Sequence, residues 1–119
     1  MSAGQKLFQM AQNQSKETVL SFIKAMNAED FKAARNYVTP DMDFVGVMGT
    51  RHGADAYFAD MEKMKFKYEI EKVFSDDSDV CLWYTIRMGD KSVPTSGWYH
   101  LENGKIANFR VLFDPRPVL

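Results

Sequence analysis

The chain holds a single cysteine, Cys81, among its 119 residues, so it can form no internal disulfide and no cysteine-based metal site. Charge of one sign is equally scarce. Lys and Arg number 15 against 16 Asp and Glu, a net charge of -1, and no basic patch is visible, so no nucleic acid partner is expected. There is no run of 18 apolar residues, hence no expected membrane partner or spanning helix. The opening MSAGQKLFQMAQNQSKE has no apolar core of the signal-peptide kind, and a reducing, cytoplasmic setting is expected. Histidine occurs only as His52 and His100, outside any His-x-x-x-His or Glu-x-x-His spacing, so no metal is expected. Gly46, Gly49 and Gly53 lack the spacing of a phosphate-cradling loop, and no cofactor is expected. Linkers, repeats and low-complexity tracts are missing too. Residues 1–119 read as one domain, with 1–15 a loose or helical extension.

Hydrophobic periodicity supplies the elements. Leu7, Phe8 and Ala11 keep helical spacing within 4–14, as a first helix or an extension of the next one. Val19, Phe22, Ile23 and Met26 recur at i, i+3, i+4 and i+7, a single helical stripe that Ser15 can cap. A second helix carries Phe31, Ala34 and Val38 and is expected to stop at Pro40. The period then falls to two: Met42, Phe44, Gly46 and Met48 alternate with Asp43, Val45 and Val47 in a strand. Residues 49–53 read as a turn, and 54–65 as a third helix with Tyr57, Phe58, Met61 and Met64 on its apolar side. Four strands follow: one around Phe66, Tyr68 and Ile70, then 80–88, 93–101 and 106–113, with 75–79 an acidic turn and Asn103-Gly104 a tight hairpin. Helices first and strands last predict an α+β fold. A long antiparallel meander curls into a cone. The N-terminal helices wrap it around an apolar hollow, the default ligand site.

That order, together with Gly97-Trp98-Tyr99-His100-Leu101-Glu102-Asn103-Gly104-Lys105-Ile106, the closing run from Asn108 to Pro115 and Arg51-His52-Gly53 ahead of the third helix, resembles the nuclear transport factor 2-like (cystatin-like) superfamily. Within it, the chain resembles the SnoaL-like and ketosteroid-isomerase-like proteins over almost its whole length. The resemblance implies a homodimer paired through the outer sheet face, and it implies no single activity, because the fold carries isomerases, cyclases, dehydratases, epoxide hydrolases and binders. Steroid isomerases use a helix tyrosine, an aspartate base and a protonated acid. Those positions fall on Phe22, Gly46 and Ser96. The closing-strand aspartate of limonene-epoxide-hydrolase-like enzymes falls on Val111, and their arginine–aspartate pair falls near Trp83 and Thr85. None of these residues can take over the missing role.

Strand alternation places Ser96, Trp98 and His100 on one row, Phe109, Val111 and Phe113 on a matching row, and Met42, Phe44, Gly46 and Met48 on a third. The expected lining is Phe22, Phe44, Gly46, Met48, Tyr57, Trp83, Ser96, Trp98, His100, Phe109, Val111 and Phe113, a wall of aromatic and thioether groups suited to a flat or flexible apolar ligand. His100 is the best candidate acid or base, against the plainer reading of an edge histidine beside the hairpin. Arg87 shares parity with Trp83 and can enter the pocket to hold an anion, or stand solvated at a strand end. Arg110 and Asp43 take the opposite parity and face out, with Val45 and Leu112 as apolar neighbours on that face. Three classes stay open: a binder of a small apolar molecule; a lyase, isomerase or hydrolase with His100 as acid or base and Ser96, Tyr57 or Arg87 polarising the substrate; and a non-catalytic dimeric interaction module.

Overall fold

Helix α1 runs without a break over Ala3–Asn27. The computed structural model describes the backbone of residues 3–119 and the side chains from Gln14 onward. The backbone of 4–14 therefore extends the next helix, while the side chains of Leu7, Phe8 and Ala11 fall outside the described residues. Ser15 caps nothing; it is buried inside α1. The stripe of Val19, Phe22, Ile23 and Met26 is fully buried against the sheet, and each such side chain contributes roughly 2 kcal/mol by leaving water.

The short helix α2, Phe31–Arg35, is capped by Asp30, whose carboxylate accepts the Ala33 amide. It ends earlier than Pro40. Val38 and Pro40 belong instead to strand β1, Val38–Gly46. Between Val38 and Asp43 the register of β1 slips against its neighbour, and proline, which lacks an amide donor, is tolerated there. Residues 49–53 are also more than a turn. Gly49–His52 form strand β2, folded back on β1 with Asp43 opposite His52. Helix α3, Ala54–Met64, follows and stops at Lys65 in the left-handed conformation.

Strands β3, Lys67–Asp76, β4, Asp79–Met88, β5, Lys91–Glu102, and β6, Lys105–Phe113, form the meander. The acidic turn shrinks to two residues, since Asp76 and Asp79 pair as strand ends. Asn103 and Gly104 both adopt positive φ, as the tight hairpin demands. The six strands lie in the order β2-β1-β6-β5-β4-β3, and every neighbouring pair is antiparallel except β1 with β6, which is parallel. The sheet curls without closing. Helices α1 and α3 cover its inner face, giving the α+β cone with a hollow between helices and sheet.

At the far edge, α1 is fastened to β3 by its last residue. The Asn27 side chain donates to the Tyr68 carbonyl at 2.8 Å and accepts the Tyr68 amide at 2.7 Å. Lys67 donates to the Asn27 carbonyl at 2.9 Å and pairs with Glu29 at 2.7 Å. The hydrogen bond and charge of Lys67 hold the Glu29 carboxyl below its ordinary value.

Candidate functional site

Phe22 stands at the centre of the inner face, with the rings of Phe58, Tyr99 and Phe109 edge-on at 6.1–6.5 Å. Tyr99 stacks on Phe109 at 4.7 Å, and Phe44 and Tyr57 close in on Phe109 at 5.0 and 5.3 Å. Beside this aromatic floor opens a cavity of about 620 Å³, within the range of sites that enclose small ligands. Met48, Met61, Met64 and Met88 line its sides, and the C-terminal Pro117, Val118 and Leu119 approach it.

Among the described residues, the charged side chains on its wall are Arg51, Asp60 and Lys91. Arg51 donates to Asp60 at 2.7 Å. The remaining polar side chains are phenols: Tyr57, Tyr68, Tyr84 and Tyr99. Burial pushes all four hydroxyls well above their ordinary pKa, so they stay protonated and act as donors rather than bases. Tyr84 and Tyr99 share a hydrogen bond at 2.7 Å, and the Tyr68 hydroxyl lies 3.8 Å from the Met61 sulfur.

Of the expected lining, Phe22, Phe44, Gly46, Met48, Tyr57, Phe109, Val111 and Phe113 do border this cavity. Trp83, Ser96, Trp98 and His100 do not, nor does Arg87. All five sit on the outer face of the sheet, and their expected place in the hollow is corrected. The cause is one residue. A ladder running unbroken from Glu102 opposite Lys105 would set Trp98 against Phe109. Leu101 pairs with Ile106 but His100 with Asn108, so Ala107 is an extra residue, and beyond it Tyr99 faces Phe109 and Gly97 faces Val111. The inward row of β5 is therefore Val93, Thr95, Gly97, Tyr99 and Leu101, which contains no acid. On β4 the same alternation turns Leu82, Tyr84 and Ile86 inward and Cys81, Trp83, Thr85 and Arg87 outward. The missed lining residues Tyr68, Tyr84, Ile86 and Tyr99 carry the ordinary signal of large apolar bodies at strand parity; the Ala107 bulge hides which parity points in.

The outer row has its own chemistry. His100 Nδ1 lies 2.9 Å from Asp79 Oδ1, and the Trp98 indole donates to the same oxygen at 2.9 Å. Burial opposes ionisation of Asp79, but these hydrogen bonds and the His100 charge outweigh it, and its carboxyl lies below its ordinary value. His52 Nδ1 meets Asp43 Oδ1 at 2.5 Å, which raises the imidazole above its ordinary 6.5. Arg110 covers the Trp98 ring at 5.7 Å.

A curled α+β cone whose helices cover an apolar, phenol-lined cavity is a fold consistent with a small-molecule-binding domain. The chain belongs to the SnoaL-like domain family, whose sequence profile matches residues 19–109. It is similar to an NTF2-like protein of unknown function from Cytophaga hutchinsonii, at 48% identity over 87% of this chain and 93% of that one, with a TM-score of 0.86. The fold is shared with Bal32a from a soil-derived mobile gene cassette (21% identity, 91% and 95% coverage, TM-score 0.83) and with an LEH-like epoxide hydrolase from M. tuberculosis (20% identity, 89% and 86% coverage, TM-score 0.77). Comparison with curated proteins gives no match. Phe22, Gly46 and Val111, which stand where the resemblance seeks a tyrosine, a base and an aspartate, all border the cavity, and none can hold or move a proton there.

Proposed function

We propose that the chain binds a small, largely apolar molecule in the cavity between helices and sheet, and does so as a homodimer in the cytoplasm. The observation that carries this reading is a cavity of about 620 Å³ walled by phenylalanine, tyrosine and methionine, with Arg51, Asp60 and Lys91 as its charged side chains among the described residues. Apolar walls favour an apolar ligand by removing its surface from water, and methionine adapts to its shape. Catalysis through His100 finds no support in this geometry, because the imidazole lies on the opposite face of the sheet.

Dimerisation rests on that opposite face. Phe74, Trp83, Trp98 and Leu112 are 59, 48, 51 and 72% exposed there, an unusual set of large apolar groups to leave in water. The face also carries a cation, Arg110, beside the carboxylates Asp43 and Asp79, so it can complement itself across a twofold axis.

Titration with the neutral fluorophore N-phenyl-1-naphthylamine tests the pocket. A saturable rise in emission at one probe per chain is expected, and Val111→Trp, which fills the cavity from the floor, is expected to weaken binding at least about tenfold, since apolar contact area is lost. Binding that ignores this substitution would place the probe elsewhere and remove the pocket reading.

A further inference from the structure

Lys91 opens strand β5 and shares its parity with Val93 and Thr95, both buried on the inward row. Its register partner is Met88, and both side chains border the cavity. A lysine on this row breaks the pattern, because the rest of the row is packed under the helices and lysine is rarely buried there. Lys91, Met48 and Met64 line the cavity and are nevertheless exposed, the two methionines by 66 and 52%, which places all three at its mouth.

The charges on the wall do not balance. Arg51 donates through Nε to Asp60 at 2.7 Å and through Nη1 to the Thr50 carbonyl at 3.0 Å, so the carboxylate on the wall already has its cation. Lys91 has no ion-pair partner among the described residues, although Asp90 precedes it in the turn. Among those residues the wall therefore keeps one uncompensated positive charge, and that charge stands at the mouth.

Depth and mouth make opposite demands on a ligand. Inside, Phe22, Phe44 and Phe109 offer contact to an apolar body, and an anion placed among them would lose its hydration. At the mouth an anion keeps its water and gains the ammonium group.

We infer that the ligand is a monocarboxylate with an apolar body, held body inward, with its acid group at the mouth against Lys91. This rests on the pocket reading above and adds the charged end of the ligand to it. The lysine ammonium is a single point charge, which one carboxylate matches and a doubly charged phosphate exceeds. The pairing is noncovalent, and no bond in the ligand breaks.

The probes 2-naphthylacetate and 2-naphthylacetamide match in shape and differ in charge. Binding of each to the full chain is measured by calorimetry at neutral pH and low salt. The acid is expected to bind about threefold tighter than the amide, the size of one exposed ion pair. The difference is expected to vanish in about 1 M salt, where charges more than about 3 Å apart are screened. Lys91→Gln is expected to abolish the preference at low salt, and Lys91→Arg to keep it. The salt comparison uses the unaltered protein and needs no variant to fold. Equal binding of the two probes, a preference indifferent to salt, or one that survives Lys91→Gln would overturn the inference. Continued binding of the uncharged N-phenyl-1-naphthylamine would then leave the apolar pocket standing. Failure of all three probes to bind the unaltered protein would overturn the pocket reading together with it.

Discussion

His52 shows what a single side chain adds on the outer face. Its ring lies 2.5 Å from Asp43 across the β1–β2 hairpin, and that hydrogen bond, then the Asp43 charge, raises its pKa above 6.5. The folded state therefore holds the proton more tightly than the unfolded chain. The stabilisation is complete below pH 6.5 and fades as pH rises through the folded value. The pair is exposed, so salt screens it and its contribution is small. An NMR titration is expected to place the His52 imidazole above 6.5, and Asp43→Asn to return it toward that value. An unchanged titration in the variant would show that Asp43 is not the cause. Asp43 was legible in the sequence as an outward residue, from strand alternation alone. Its partner was not, because Gly49–His52 carry no apolar alternation and read as a turn; only the pairing of Asp43 with His52 makes them a strand.

Among the elements, α1 and β3 meet at a junction that holds the cone in shape. The Asn27 amide copies the two hydrogen bonds of a neighbouring strand by accepting from the Tyr68 amide and donating to its carbonyl. Tyr68 lies on the edge strand of the sheet and also lines the cavity, so the junction positions a piece of the wall. Asn27→Ala removes both bonds at a partly buried site and is expected to cost about 2 kcal/mol, at about 1 kcal/mol for each, as a lowered midpoint in urea with an unchanged slope. No loss of stability would mean that water replaces the amide at no cost. Helices and strands of this kind are read well from apolar periodicity, since burial enforces it: Val19, Phe22, Ile23 and Met26 announce α1, and Phe109 and Val111 announce the inner face of β6. Facing residues on adjacent strands are read poorly. Ala107 is an unremarkable residue, yet as a bulge it reverses the parity of everything beyond it, and so Trp98 and His100 exchange places with Gly97 and Tyr99.

For the whole molecule, the two faces of one sheet differ: the inner face forms a cavity, and the outer face exposes Phe74, Trp83, Trp98 and Leu112, the surface through which we propose a second copy binds. Sedimentation equilibrium at tens of micromolar is expected to give twice the 13.7 kDa chain mass, and Leu112→Glu to give one chain with its circular dichroism intact. A monomer at that concentration would remove the dimer from the proposal and leave the pocket untouched. The same division of faces gives the pocket its most direct test. Methionine methyl and tryptophan indole signals are followed together by NMR while N-phenyl-1-naphthylamine is added. Met48, Met61, Met64 and Met88 border the cavity, whereas Trp83 and Trp98 lie on the far side of the sheet. Binding in the cavity predicts saturable shifts of those four methyl groups with the indoles unmoved. Indole shifts with silent methyl groups would put the ligand on the outer face and contradict the assignment of the cavity as the binding site.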